Sequence, residues 1–138
     1  MKKVLIDINI VLDVLNKRQE HEAAAKIFDL CERRKLKGFV CSHEITTLSY
    51  FMEKYKYPKN KRVFIITKLL DLFSIIPTTE KILRNSLNSG IDDYEDAVIE
   101  ASAQSEEINF IISRNIKDFR KGKVDCFSAK EAMVILAE

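Results

Sequence analysis

Apolar positions follow one another along this chain in two rhythms. Short unbroken apolar runs alternate with longer stretches in which every third or fourth residue is apolar. The first rhythm marks strands buried on both faces, the second amphipathic helices. "KVLID" at the start predicts a strand, and "INIVLDVLNK" continues as a helix over Ile8 to Lys17. From Glu20 onward, Ala24, Ile27, Phe28 and Cys31 fall on one helical face. "KGFVCS" predicts a second strand, with Gly38 marking the break. "HEITTLSYFMEKY" is helical, with Ile45, Leu48, Met52 and Tyr55 on one stripe. "YPKNK" interrupts it, because Pro58 lacks the amide a helix interior needs.

"RVFIITKLLDL" resumes as a helix, and "FSIIP" is a third strand. "TTEKILRNSLNSG" is a short helix closed by Gly90. "DDYEDAVIEASAQSEE" is another, with Asp92 or Asp93 as its N-cap. "NFIIS" is a fourth strand and "VDCFS" a short fifth. "SAKEAMVILAE" is a last helix, with Ser128 and Glu131 spaced as a capping box. Strands alternating with helices predict a parallel sheet covered on both faces. No repeat, linker or low-complexity stretch divides the 138 residues, so one domain over 1–138 is expected.

Composition narrows the functional classes. The net charge is +2 with 32% charged residues, so any nucleic-acid contact must come from local patches. No apolar stretch approaches the roughly 20 residues of a membrane span, and the run after Lys2 and Lys3 stops at Asp7, too early for a signal peptide. Cys31, Cys41 and Cys126 are scattered without a CxxC spacing, which predicts reduced thiols in a cytoplasmic protein. Only two histidines are present, which argues against zinc.

The acids then carry the chemistry. Ligands of open parallel sheets bind outside the carboxyl ends of the strands. Asp7 and Asn9 lie just past the first strand, Glu44 just past the second, and Ser113, Arg114, Asn115 and Asp118 just past the fourth. Asp93 and Asp96 open the helix that leads into the fourth strand. Carboxylates gathered at one edge repel one another, and a divalent cation relieves the conflict. Oxygen ligands without His or Cys suit Mg²⁺ or Mn²⁺, which can activate water for attack on a phosphate.

Each acid has a plainer role to set beside this. Asp7 is placed to cap the helix that follows. Asp93 and Asp96 fall in a first helical turn, where the dipole favours anions. Asp118 suits a turn before Phe119, and Asp13 suits either solvent or support of a neighbouring ligand. Asp92 and Glu95 read as surface charges, and His43 as a satisfied polar residue at a strand end. Convergence of several acids at strand ends favours the metal reading.

"VLIDINIVLDVL", "DDYEDAVIEASA" and "FIISRNIKDF", in that order, resemble a PIN-domain nuclease, and more narrowly the VapC-like toxins of bacterial toxin–antitoxin pairs. The resemblance runs over essentially the whole chain. It implies a three-layer α/β/α sandwich with a mostly parallel sheet of about five strands, and a Mg²⁺- or Mn²⁺-dependent endoribonuclease. It assigns metal-binding and catalytic roles to Asp7, Asp96 and Asp118, and supporting hydrogen bonds to Asn9, Ser113 and Asn115. It also implies a homodimer and an antitoxin protein as partner.

One departure stands out. The family's second acid usually sits six residues past a serine like Ser42, where this chain has Leu48. Glu44 lies four residues earlier on the same helical face, and is the candidate replacement. The alternative is a helix-start charge, leaving a three-acid site.

Arg114, Lys117, Arg120 and Lys121 adjoin Asp118 and are the candidate RNA contacts. Tyr50, Tyr55 and Tyr57 suit helix packing more than base stacking. Phe51, Phe64 and Ile65 lie off the main stripes and are candidates for a dimer interface. Two other classes compete. One is a catalytically weak or inactive module that binds RNA or a partner. The other is a phosphohydrolase of the haloacid-dehalogenase type, which wants a second aspartate where Asn9 stands.

Overall fold

The computed structural model describes residues 1–137. Five strands form one sheet: β1 (Lys3–Ile6), β2 (Lys37–Cys41), β3 (Ser74–Ile76), β4 (Phe110–Ile112) and β5 (Cys126–Phe127). Their order is β3-β2-β1-β4-β5, and every neighbouring pair is parallel. Leu5 stands opposite Phe39 on one side and Ile111 on the other. The connections are helical: α1 (Ile8–Leu15), α2 (His21–Glu32), α3 (Ser42–Lys54), α4 (Lys59–Leu72), α5 (Glu80–Ser86), α6 (Tyr94–Ser105) and α7 (Ala129–Leu136).

Alternation along the strands builds two cores. Val4, Ile6, Val40, Phe110 and Ile112 face one way, against apolar residues of α1, α2, α3, α4 and α7. Leu5, Phe39, Cys41 and Ile111 face the other way, against α5 and α6. Because both faces are covered, the strands carry no polar alternation, as the unbroken runs predicted. The result is the expected α/β/α sandwich, with every observed pairing parallel.

The strand order determines where a ligand can enter. From β1 the chain first builds outward through β2 and β3, then returns to the other side of β1 with β4 and β5. The reversal falls between β1 and β4, and a crevice opens at the carboxyl ends of strands at such a point. Asp7 follows β1, and Ser113 follows β4.

Local signals held at several ends. Asp93, not Asp92, caps α6, its Oδ1 accepting the Asp96 amide at 3.0 Å. Ser128 and Glu131 form the capping box of α7. Pro58 caps α4 and separates it from α3.

Others failed for tertiary reasons. Gly90 does not close α5, which ends at Ser86, and no glycine adopts positive φ. Gly90 instead lies where a Cβ would come within 2.9 Å of the Lys121 carbonyl. Gly38 does not break the chain but lies inside β2, at a place where a Cβ would meet the Phe73 ring at 2.7 Å. Tyr55 leaves the buried stripe of its helix and is exposed, as is Tyr50, whereas Tyr57 is half-buried. Packing therefore does not explain the first two tyrosines. Ile65 belongs to the core rather than to a surface, while Phe64 is exposed and Phe51 half-buried.

Candidate active site

Asp7 occupies the N-cap position of α1 but makes no side-chain capping bond. Its carboxylate turns to the neighbouring strand end instead. Oδ2 accepts from the Ser113 hydroxyl at 2.7 Å and from Asn9 Nδ2 at 3.2 Å. Ser113 is fully buried, and its Oγ also accepts the Asn115 amide at 3.1 Å. Asn9 closes the group: its Oδ1 accepts the Arg114 amide at 3.2 Å. The first turn of α1 and the turn after β4 are thus stitched together around one carboxylate. Asn115 takes part through its backbone.

Glu44 enters from the third residue of α3 and is completely buried. Its Oε1 accepts the Ile8 amide, one of the unpaired donors at the start of α1, at 3.3 Å. Its Oε2 has no hydrogen-bond partner among the described residues. A surface charge at a helix start would not be placed so. Burial, then the Asp7 charge beside it, raise the Glu44 carboxyl well above its ordinary value. Burial also raises Asp7, opposed by the Ser113 bond. Burial and mutual repulsion both oppose ionising the two carboxyls together. Leu48, where the family's acid is expected, is sealed in the apolar core one turn along.

Asp96 and Asp118 form a looser half. Asp96 is half-buried in the first turn of α6 and Asp118 is exposed in a 3₁₀ turn over Ile116–Phe119. The Asp96 carboxyl is pushed up to about 7 by burial first, then by the charges of Asp93, Asp118, Asp7 and Glu95. Asp96 therefore senses acids from three separate segments. Among the described residues, however, no three Asp, Glu, His or Cys side chains stand close enough together to hold a metal ion. The site as folded is an acidic field with one tight pair.

Of the basic candidates, Arg114 is tied to α1 while its side chain stays partly exposed. Its guanidinium contacts Asp13 at 2.6 Å, and Asp13 is buried on α1. The solvated reading of Asp13 is thereby corrected. The pair braces the segment that carries Ser113. Asp13 lies one turn past Asn9, so the helical period held a hint of this. Lys117 and Arg120 are exposed, and Lys121 lies 3.7 Å from Asp92.

Sequence reasoning missed Thr78. It follows β3, donates its amide to Ser42 Oγ at 2.9 Å, and contacts His43 Nδ1 through its hydroxyl at 3.1 Å. His43 Nε2 is buried without a partner among the described residues, so within them the ring is satisfied on one side only. No periodicity could reveal a contact between residues so far apart. Sequence reasoning also missed the burial of Glu100, whose Oε2 accepts the Val124 amide at 3.3 Å.

A parallel-sheet protein with acids gathered at its switch point is the class that fold and site define. The chain belongs to the PIN domain family, whose model matches residues 3–117. No curated protein matches the sequence. Several solved structures share the fold. A chain of a toxin–antitoxin complex from Klebsiella pneumoniae is 24% identical, with TM-score 0.68, covering 91% of this chain and 97% of its own. A chain of VapBC2 from Rickettsia felis, bound to a DNA fragment from its promoter, is 18% identical with TM-score 0.71, covering 91% and 98%. A chain of FitAB bound to an IR36 DNA fragment is 17% identical with TM-score 0.72, covering 91% and 94%.

Proposed function

We propose that this protein is a Mg²⁺- or Mn²⁺-dependent endoribonuclease that hydrolyses phosphodiester bonds of single-stranded or structured RNA, as a VapC-like toxin. The observation that carries the reading is the buried Asp7–Glu44 pair at the strand ends, with Glu44 Oε2 lacking a partner among the described residues and the Asp7 charge also felt by Asp96.

The donor chemistry fits a hard divalent cation. All candidate ligands are carboxylate oxygens, and one of them is buried with its hydrogen-bonding capacity unused. Mg²⁺ keeps several waters and needs only one or two direct carboxylates, so a closed three-acid grip is not required. Asp7, Glu44, Asp96 and Asp118 would hold it, directly or through water. Bound there, it would supply an activated water and a counter-charge for the leaving oxygen. Asn9, Ser113 and the Asn115 amide hold Asp7 in one orientation. Arg114 keeps Ser113 in place by its grip on Asp13, and Lys117, Arg120 and Lys121 stand exposed to meet phosphates.

The chain is further proposed to act as one domain over 1–138, in the cytoplasm, as a homodimer restrained by an antitoxin. Among the described residues no helix is long and apolar enough to cross a membrane. Exposed Tyr50, Val63, Phe64 and Leu70 on α3 and α4 offer an apolar face for a partner. The catalytically inactive reading has one observation in its favour, the absence of a ready three-acid cluster among the described residues.

Cleavage of single-stranded RNA separates the two. The purified protein is expected to cut in Mn²⁺ and to stop in excess chelator. Full cleavage in chelator rules out the metal reading, and no cleavage under any divalent ion favours the inactive module.

A further inference from the structure

A groove of about 770 Å³ lies on the α5–α6 side of the sheet, between these two helices and the loop after Asp118. One wall is a single face of α6, from Ala97 through Glu100 to Gln104. That face starts beside Asp96. From Asp96 to Gln104 the helix rises about 12 Å, so the groove leads away from the acidic edge rather than lying apart from it.

Lys121 and Lys123 line the groove from the loop, and Lys81 from α5. Asn85, Ser89 and Gln104 add neutral polar groups, and no aromatic side chain lines it. Glu100 lies buried at the groove floor, its carboxylate accepting Gln104 Nε2 at 3.2 Å and the Val124 amide at 3.3 Å. Glu106, just past the end of α6, also lines the groove. The exposed charges of the groove are therefore Lys81, Lys121 and Lys123 against a half-buried Glu106, with Lys121 also 3.7 Å from Asp92.

We propose that this groove holds the phosphate backbone of the RNA strand flanking the cleavage point. This rests on the ribonuclease reading and extends it by a site outside the acidic cluster. The groove recognises phosphodiester charge with amide and hydroxyl support. With no ring to stack on, it contacts backbone rather than bases, and binds without regard to sequence. Lys121 joins the two regions, reaching Asp92 at the start of α6.

The test is a binding titration with the full chain carrying Asp96→Asn, which removes cutting so that affinity is read alone. Labelled single-stranded RNAs of four and fourteen nucleotides serve as probes. Lys81→Glu with Lys123→Glu reverses two groove charges, and Lys81→Gln with Lys123→Gln covers the case in which the reversal disturbs folding. The control is Lys17→Glu with Lys26→Glu, which changes a second basic groove beside α2 and α7. Affinity for the longer RNA is expected to fall at least tenfold relative to the shorter in the groove variants. The salt slope should drop by about 1.4, two phosphates at about 0.7 each. Equal affinity of parent and groove variants for the longer RNA overturns the proposal, as does an equal loss in the control. If the groove variants instead lose an acidic polyglutamate probe and keep RNA, the groove takes a protein, which also overturns it. A parent that binds neither RNA overturns the ribonuclease reading itself, and is distinguished because no variant is then needed to see it.

Discussion

The two halves of the candidate site are built in opposite ways. Asp7 and Glu44 are buried, and hydrogen bonds from Ser113, Asn9 and the Ile8 amide hold them in place. Asp96 is half-buried and Asp118 exposed, and the charges around Asp96 repel it. The first half owes its geometry to the fold. The second half depends on what neutralises it. A cation would thus meet one preformed side and one side that it must draw in. That contrast explains how a chain can have an acidic site yet no closed three-acid cluster among the described residues.

The largest effect is expected from the rigid half. Asp7→Asn should lower RNA cleavage by at least about a hundredfold while leaving the fold intact or stabilised, since it removes one charge from a repelling pair. Thermal melting decides between roles: a variant that melts well below the parent would make Asp7 a structural residue.

Glu44→Gln comes next. It keeps size and helix propensity and removes a buried acid. Cleavage should fall about 10- to 100-fold, the loss typical when even a residue supporting a metal ligand is disturbed. Part of the loss should return at higher Mn²⁺. Identical Mn²⁺ dependence in parent and variant would leave Glu44 as no more than a cap for α1. Placing an acid at Leu48 is not expected to rescue it, because that side chain is sealed in the apolar core.

The soft half shows itself through pH. The Asp96 carboxyl, ordinarily near 3.8, is pushed up to about 7 in the folded chain. The folded state therefore binds the proton more readily than the unfolded one. Its contribution to stability is present below about pH 4 and is lost as pH rises toward 7. Metal-free protein should melt progressively lower across that window, with Asp7 and Glu44 contributing in the same direction, and Asp96→Asn should make the trend shallower. A melting temperature that rises with pH over the same range, in chelator, would contradict the repulsion around Asp96. Cation binding competes with the same proton, so Mn²⁺ affinity should climb by up to about tenfold per pH unit below 7 and level off above.

Ser113→Ala gives a smaller effect and tests the hydrogen-bonded half alone. It leaves Asp7 Oδ2 with Asn9 Nδ2 as its one side-chain donor and takes the acceptor from the Asn115 amide, and should cost about 1–3 kcal/mol in chemical denaturation. Asp92→Asn should be the smallest, because its ion pair with Lys121 is exposed on both sides. A measurable loss of stability there would mean the loop after Asp118 is held more firmly than its exposure suggests.

The rigid half was legible in the sequence because its residues follow strand ends. An unbroken apolar run that stops at Asp7 or Ser113 says both where the strand is and where it emerges. The fold was legible for the same reason, since the strands are buried on both faces. Boundaries and side-chain partners were not. Position 38 takes glycine inside a strand because the Phe73 ring passes over it, a fact of packing rather than of period. Ile65 and Phe64 are neighbours in the chain, and only the rotation of α4 decides which is buried. Asp13 was legible as helical but not as the buried partner of Arg114, about a hundred residues on. Glu44 was legible as displaced from the family's pattern, and the structure adds that its carboxylate meets the start of α1.

Calorimetric titration of Mn²⁺ into the metal-free protein at pH 7.5 tests the central claim most directly. Binding by the parent, lost in Asp7→Asn, weakened in Glu44→Gln and unchanged in Lys17→Gln, is the predicted result. No binding at millimolar Mn²⁺, or binding that all three variants retain unchanged, would contradict the account.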